Sequence, residues 1–307
     1  MANTPLDITI RCGLEFNYEA SAPTPMILLI QPRLDPWQFL EGEQFNFSAD
    51  LACTEHEDVH GNIVRHLVLP AGRTTIRHDQ IISVPSLPEN HGAVDGAVAV
   101  SDLSPDLLRY TLPSRYCDSD RLMNFAFEKF GQVPHGLQRV QAICDWLHRN
   151  IEYRFGAGSP YTSASDVIAQ GYGVCRDFAH TAVALSRCFN IPARYVTGYV
   201  SDVAFLDNGS PMDFHAYMQV YIGHRWQTYD ARFNTPRIGR IKIACGLDAV
   251  DGAFSTLFGA AQLTWFHVWA YQIDPDEVKL GDPIDLTKRL CGTPQLLFPP
   301  RVQAVAA

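Results

Sequence analysis

The sequence predicts an α+β protein in which an all-β, sandwich-like domain precedes a domain of helices packed on an antiparallel sheet. Up to about residue 105, apolar and polar residues alternate, as they do along half-buried strands. Between about residues 119 and 189, apolar residues recur every three to four positions, the period of an amphipathic helix. Beyond residue 193, strand-like runs return. We therefore expect a β domain over 1–105, a mixed domain over 106–280 and a partly flexible extension over 281–307.

The β domain is expected to contain strands near 8–12, 26–30, 45–53 and 63–69. The stretch 84–112 is rich in Pro, Gly and Ser and supplies the connection to the second domain, with one further strand at 98–100. Between the third and fourth strands, His56, Glu57 and His60 form His-Glu-x-x-His, the zinc-protease motif, which works only on a helix. Its neighbours alternate at period two and Gly61-Asn62 favours a turn, so we predict no metal site and no cofactor.

Composition excludes several classes of protein. Apolar residues make up 47% of the chain and charged residues 19%, so a substantial core can form. The formal charge of −9, with no basic cluster, argues against a nucleic-acid partner. No apolar run is long enough to cross a bilayer and the N-terminus lacks signal-peptide features, so we expect a cytoplasmic protein without a membrane partner. Oligomeric state stays open.

The cysteines form no CxxC pair, so neither a zinc ribbon nor a thioredoxin motif is present, and most are expected to be reduced core residues. There are eight, at positions 12, 53, 117, 144, 175, 188, 245 and 291. Three helices are predicted, over 120–130, 136–150 and 163–170. Asp118 or Ser119 can cap the first, and Ser163 or Ser165 the third. Cys144 falls in the apolar stripe of the second helix, which favours a core role.

Cys175 is the strongest candidate for a reactive residue. Residues 171–180 read Gly-Tyr-Gly-Val-Cys-Arg-Asp-Phe-Ala-His, and apolar residues then recur at helical spacing. The glycines allow a sharp turn, so Cys175 is expected to begin a helix, where unpaired amides and the helix dipole favour a thiolate. A small cysteine at a helix start can also simply pack. Asp177, in the first turn, is expected to complement the dipole as a capping residue.

A histidine and an aspartate are predicted to pair downstream. The strand-like runs 214–222 and 225–232 are joined by Gly-His, a plausible two-residue hairpin turn. If the residues flanking the turn pair, Tyr217 faces Asp230 and His215 is a diagonal neighbour of that aspartate. Diagonal Cα atoms lie about 7–8 Å apart, within reach of an imidazole and a carboxylate. The other strand face is apolar, so His215 points away from it, which argues against a merely packed histidine.

Other histidines are weaker candidates for a catalytic base. The sheet is expected to contain 193–200, both hairpin strands and the late run 263–273, which is apolar on both faces and therefore central. His267 lies in that run and is predicted to be a core residue. His180, five positions beyond Cys175, faces away from the thiol. His224 occupies the turn and is expected to be solvated.

Four motifs together resemble the transglutaminase-like superfamily of papain-related cysteine enzymes, in its bacterial branch. They are Gly-Tyr-Gly-Val-Cys-Arg-Asp-Phe-Ala, Ile-Pro-Ala-Arg-Tyr-Val-Thr-Gly-Tyr, His-Ala-Tyr and Trp-Gln-Thr-Tyr-Asp-Ala-Arg, all within residues 171–232. Two positions depart from the family pattern: Tyr217 stands where tryptophan is common, and Ala-Arg follows Asp230 where Pro-Thr is commoner. The N-terminal stretch resembles, more loosely, the β domain that accompanies bacterial members.

The resemblance implies a papain/transglutaminase-like catalytic domain with Cys175 as nucleophile, His215 as base and Asp230 as its orienting residue. It implies acyl transfer on peptide or protein amides through a thioester, by a protease, amidase or transglutaminase. Gln170 is a candidate oxyanion donor by analogy with papain-like enzymes. Aromatic candidates for lining the cleft are Tyr172, Tyr217, Tyr221 and Trp226. The alternatives are a non-catalytic peptide-binding module that keeps the fold and, more distantly, a zinc protease.

Overall fold

Two antiparallel sheets form the N-terminal half of the protein. The computed structural model describes residues 5–90, 92–94, 96–203 and 214–290. The first six strands are β1 (Ile8–Ala20), β2 (Thr24–Leu28), β3 (Phe39–Phe47), β4 (Cys53–Glu57), β5 (Ile63–Leu69) and β6 (Gly72–Val84). Strands β1, β6 and β3 lie side by side in one sheet, and β2, β5 and β4 in the other. Apolar side chains from both sheets share one core, as in a sandwich.

The described part of the second half contains six α-helices, three of which pack around a fourth. They are α1 (Pro105–Leu108), α2 (Ser119–Phe130), α3 (Leu137–Asn150), α4 (Ala164–Gln170), α5 (Cys175–Arg187) and α6 (Ala249–Gly252). Helix α5 contacts α2, α3 and α4 on one side and a sheet on the other. It is therefore buried on every face from residue 177 onward, rather than on a single stripe. This enclosure fixes the direction in which its first residue, Cys175, is presented.

The remaining strands are β7 (Glu152–Tyr153), β8 (Tyr172–Gly173), β9 (Ala193–Val200), β10 (Phe214–Ile222), β11 (Arg225–Tyr229), β12 (Arg240–Gly246), β13 (Ser255–Leu257) and β14 (Ala261–Gln272). The sheet against α5 has the order β11-β10-β9-β12 and is antiparallel. Strands β7 and β8 form a short parallel pair just before Cys175. Gly223 and His224 both have positive φ, 61° and 60°, as a type I′ hairpin turn requires. The predicted turn is confirmed.

The late run 263–273 was predicted to be a central strand of the catalytic sheet, and this is wrong. Strand β14 pairs with β1 at the edge of the N-terminal sheet. Its first half is largely exposed, with Trp265 45% exposed, and His267 is exposed rather than buried in a core. The place predicted for it is taken by β12, which pairs with β9. A local apolar pattern cannot distinguish these partners, because both pairings join residues far apart in the chain.

Smaller differences concern the N-terminal half. The predicted strand 45–53 is interrupted, because β3 ends at residue 47 and β4 begins at residue 53. Residues 98–100 form no strand, and a 3-10 turn (Val100–Asp102) begins there instead. The prediction of a flexible end from 281 can be followed only to residue 290, and Cys291 and the proposed tail 299–307 lie outside the described residues. None of the helices in the described part combines the length and apolar character of a membrane span.

Candidate active site

Local capping fixes where the helix of Cys175 begins. Helix α4 starts with a reciprocal pair, since the Asp166 carboxylate accepts from the Ser163 N–H and the Ser163 hydroxyl accepts from the Asp166 N–H. It ends at Gly171, whose φ of 76° is easily adopted by glycine. The buried Asp177 then accepts from the Val174 N–H at 2.9 Å, which closes the first turn of α5. The predicted capping role of Asp177 is confirmed.

The Cys175 side chain is half-buried and forms no disulfide. It lies at the edge of a small cluster with Ala179 of its own helix, Tyr195 of β9 and Ala216 of β10. Ala216 is the residue next to His215 in β10, so the packing brings the start of α5 against the strand that carries the histidine. A helix N-terminus adjoining a histidine-bearing strand is an arrangement that can activate a cysteine.

His215 and Asp230 form the predicted pair. Strand β10 pairs with β11 in the register inferred from the sequence, with Ile222 opposite Arg225. His215 Nε2 lies 2.7 Å from Asp230 Oδ2, and both side chains are almost fully buried. The contact uses Nε2, and Nδ1 is the ring nitrogen that does not bind the carboxylate. The ring is thus held by one nitrogen, and the other is left to take a proton.

Asp230 has further partners that keep it ionised. The Arg240 guanidinium donates to Oδ2 at 2.7 Å, and the backbone N–H groups of Arg232 and Phe233 donate to Oδ1. Burial opposes ionisation of the carboxyl, but attraction to His215 and Arg240, with their hydrogen bonds, outweighs it and lowers the pKa of Asp230 below its ordinary value. A carboxylate bound on both oxygens holds the imidazole in one orientation.

Burial also controls the histidine itself. It disfavours the imidazolium and lowers the pKa of His215, and the attraction of Asp230 offsets this only in part. Arg240 and Arg232 act in the same direction as burial. His215 is therefore neutral at neutral pH, which is the form that can accept a proton from a thiol.

Three further histidines, His180, His56 and His60, lie in other settings. His180 is fully buried, stacks on Tyr116 with ring centroids 5.0 Å apart, and accepts the Ala249 N–H through Nε2. His56 lies on strand β4, where the zinc-protease motif cannot form its helix. His60 Nδ1 lies 2.9 Å from the Tyr110 hydroxyl. Within the described ranges, no group of three or more His, Cys, Asp or Glu side chains could hold a metal ion.

We expect His180 to make stability depend on pH. Burial lowers the pKa of His180 well below its ordinary value of 6.5, so the unfolded chain binds a proton there that the folded chain resists. The free energy of unfolding should therefore fall as the pH drops below 6.5. In His180→Phe this loss should be shallower, by up to about 1.4 kcal/mol per pH unit. Urea unfolding at pH 7 and pH 5.5 measures the difference, and parallel losses in the two proteins would contradict the assignment.

Three of the residues predicted to bind substrate, Gln170, Tyr172 and Trp226, contact other parts of the protein. The exposed Gln170 side chain donates to the Tyr172 carbonyl at 2.8 Å, and Tyr172 is half-buried beneath the Arg154 guanidinium, which lies 3.9 Å from its ring centroid. Trp226 packs edge-on against Tyr110, with centroids 5.3 Å apart. Substrate contact by these three residues stays a prediction.

Tyr217 was predicted to line the substrate cleft, but its side chain is buried. Its side chain is 1% exposed, with the Arg240 guanidinium 4.6 Å from the ring centroid and the His215 ring 6.4 Å away. It offers almost no surface to a substrate and instead packs behind the histidine. Tyr221 joins Trp226 in an aromatic cluster, with ring centroids 5.5 Å apart.

Two residues close to the pair were missed from the sequence. Arg240 begins β12, and Glu89 lies in the Pro- and Gly-rich connection, with its carboxylate 2.6 Å from Arg240 Nε. The alternation of apolar residues over 238–243 could have indicated the strand. No local signal marks Glu89, because its partner is more than a hundred residues away.

Comparison with known proteins covers the part of the chain that carries these residues. The family model described as the transglutaminase-like superfamily matches residues 124–231. A crystal structure described as "a Putative Cysteine Protease from Cytophaga hutchinsonii" is 31% identical, with a TM-score of 0.78 over 88% of this chain and 92% of that chain. The shared architecture therefore includes the β domain as well as the helix of Cys175.

Mycobacterial relatives match over a shorter part of the chain. An uncharacterized protein of Mycobacterium leprae (strain TN) is 25% identical over 181 residues, covering 56% of this chain and 63% of the relative. An uncharacterized protein of Mycobacterium tuberculosis (strain ATCC 25618 / H37Rv) is 25% identical over 164 residues, covering 47% and 49%. The chain thus spans from about half to just under two thirds of the length of these relatives. At the level of the family, the matches support a cysteine-dependent enzyme, and by its motifs and its fold the chain belongs to the transglutaminase-like superfamily.

Proposed function

We propose that this protein is a cysteine-dependent acyl-transfer enzyme that acts on amide bonds of peptides or proteins through Cys175, His215 and Asp230. The observation that carries the proposal is the 2.7 Å contact between His215 and Asp230, on a strand whose next residue packs against Cys175. A buried, neutral, oriented imidazole on a strand against which the helix start of a cysteine packs supports nucleophilic catalysis by that cysteine.

In the first half-reaction, His215 Nδ1 takes the thiol proton and Cys175 Sγ attacks the amide carbonyl carbon. The carbonyl oxygen becomes an oxyanion, which the backbone N–H of Cys175 at the helix start stabilises together with one further donor. The C–N bond then breaks, His215 returns the proton to the departing amine, and a thioester to Cys175 remains. Asp230 stabilises the imidazolium that exists between the two proton transfers.

In the second half-reaction an acceptor attacks the thioester. His215 takes a proton from water or from an amine, the acceptor bonds to the carbonyl carbon, and the C–S bond breaks to regenerate Cys175. Water as acceptor gives a protease or amidase, and an amine gives a transglutaminase. Family membership is compatible with either activity. The molecule that reaches the thioester, water or an amine, determines which of the two occurs. Peptide or protein substrates and a cytoplasmic location remain parts of this proposal.

Trapping the acyl-enzyme tests the proposal without knowledge of the natural substrate. Incubation with p-nitrophenyl acetate should acetylate Cys175, detected by peptide mass spectrometry, and release nitrophenol in a burst equal to the enzyme concentration. Cys175→Ser should abolish the burst. Cys53→Ser is the matched control, because Cys53 is an exposed cysteine in the β half, and its burst should be unchanged. Adding a primary amine and measuring amide against acetate then distinguishes the two acceptors.

If Cys175 is not acylated and the two variants behave alike, the enzyme proposal fails. The result would favour the alternative, a peptide-binding module that keeps the fold without the chemistry. A burst that persists in Cys175→Ser would place the nucleophile elsewhere and would contradict the assignment of Cys175.

A further inference from the structure

A segment between the two halves of the chain covers the edge of the catalytic sheet. We name residues 85–90 and 92–94 the connector. Strand β11 is the edge strand, and the Asn90 side chain binds both the N–H and the carbonyl of Thr228 in it, as a neighbouring strand would. The carbonyls of Gly92 and Val94 accept from the side chains of Arg225 and Gln227. The connector therefore adds hydrogen bonds that close an otherwise open edge.

Docking of the connector carries one carboxylate to the site. Glu89 binds the backbone of Arg237 twice: its N–H donates to the Arg237 carbonyl, and its side-chain Oε2 accepts the Arg237 N–H. Its Oε1 lies 2.6 Å from Arg240 Nε, and its side chain is only 15% exposed. Glu89 is thus held on both backbone and side chain, facing the guanidinium.

Arg240 lies between two carboxylates. Nε faces Glu89, Nη2 donates to Asp230 at 2.7 Å, and the side chain is 3% exposed. Glu89 holds the guanidinium on the Nε side by ion pairing rather than by an aligned hydrogen bond, while Nη2 donates to Asp230. The contacts therefore run in series from Glu89 through Arg240 and Asp230 to His215.

We propose that Arg240 and Glu89 are positioning residues of the active site, through which docking of the connector sets the orientation and charge environment of His215. The inference rests on the proposed function only for its catalytic consequence. Its structural content, that the connector acts on His215 through Arg240, holds whether or not Cys175 is a nucleophile. It makes the site dependent on the segment that joins the two halves.

The charged groups around His215 define what each substitution should do. The groups that face the ring or lie directly behind its partners are Asp230, Arg240, Arg232, Arg237 and Glu89. Removing the positive charge of Arg240 should make the imidazolium easier to form. Removing the negative charge of Glu89 should make it harder, because the charge of Arg240 is then less compensated. A merely structural loosening would shift both variants in the same direction.

The test is an NMR pH titration of the His215 ring in the full chain labelled with ¹⁵N-histidine, with the signal assigned by its loss in His215→Gln. We expect the midpoint to move to higher pH in Arg240→Gln and to lower pH in Glu89→Gln. Glu15→Gln is the matched control, since Glu15 pairs with Arg77 at 2.9 Å in the β half, outside the connector, and it should leave the midpoint unchanged. Acylation of Cys175 should also slow about 10- to 100-fold in Arg240→Gln, by analogy with the loss of partners that orient metal-binding histidines.

Equal midpoints in all variants, or shifts of the same sign in Arg240→Gln and Glu89→Gln, would overturn the proposal. If Arg240→Gln does not fold, Glu89→Gln against Glu15→Gln decides alone, because glutamine preserves the shape of each glutamate and removes only its charge. Failure of acylation in the wild type together with opposite midpoint shifts would remove the proposed function and leave the action of the connector on His215 standing.

Discussion

Replacing Asp230 by asparagine is expected to slow acylation of Cys175 by roughly 10⁴-fold, the loss typical of this change in an acyl-transfer triad. The reason lies in the four donors around the carboxylate, which come from His215, Arg240 and the backbone of Arg232 and Phe233. An amide has one donating end, so either orientation of asparagine points N–H groups at N–H groups. The imidazole would then lose its tautomer or its position. Burst kinetics with an activated ester measure the effect.

Asp79→Asn is the matched control for the cost of removing a buried carboxylate. Asp79 forms an equally buried ion pair with Arg11 at 2.6 Å in the β half, away from Cys175 and His215. It should lower stability while leaving the acylation rate of the folded protein within about twofold of wild type. Similar losses of rate in both variants would show that Asp230 acts through folding, and the triad would lose its third member.

Replacing Gly198 by alanine is expected to cause the largest loss of stability of any single methyl addition in the catalytic sheet. Gly198 lies opposite His215 in β9, and a Cβ there would come within 1.9 Å of the Ile241 carbonyl oxygen in β12. A backbone carbonyl cannot rotate out of the way as a flexible side chain can. Strand β12 would therefore have to move, and Arg240 would move with it. We expect the free energy of unfolding to fall by about 3 kcal/mol or more, measured by urea denaturation.

Gly42→Ala serves as the control for that experiment. A Cβ at Gly42 would lie 3.0 Å from Leu280 Cδ1, the end of a flexible side chain that can rotate away. Its effect should stay below about 1 kcal/mol. If Gly198→Ala proved equally mild, β9 and β12 would have to lie further apart than the structure places them, and the close contact could not explain the glycine in the Thr-Gly-Tyr motif.

The parts of the site that follow local rules could be predicted from sequence. The glycine-rich turn and helical spacing placed Cys175 at the start of α5, and a two-residue turn fixed the register that brings His215 to Asp230. In each case the partners lie within a few residues of a turn with one favoured geometry. Short-range chemistry is sufficient there.

The parts that depend on distant pairing could not be predicted. Strand β14 joins β1, about 250 residues away, although its apolar pattern equally suits the catalytic sheet. Arg240 and Glu89 contact each other only because the connector and β12 converge on one side of Asp230. Tyr217 lies on the strand face opposite the apolar core side chains, which suggested an exposed ring. Arg240 covers that ring, so the strand position alone could not predict the burial of Tyr217. Burial on both faces of a sheet is a property of the whole fold.

The most direct test of the central claim is the rate of iodoacetamide alkylation of Cys175 against pH, by peptide mass spectrometry, in wild type and His215→Ala. Because the pKa of His215 is lowered, the neutral base persists below pH 6.5, and wild-type Cys175 should react readily well below pH 8. In His215→Ala the rate should rise only as an ordinary thiol ionises, near pH 8.5. Identical profiles in both proteins, or a Cys175 that stays unlabelled, would contradict activation by His215.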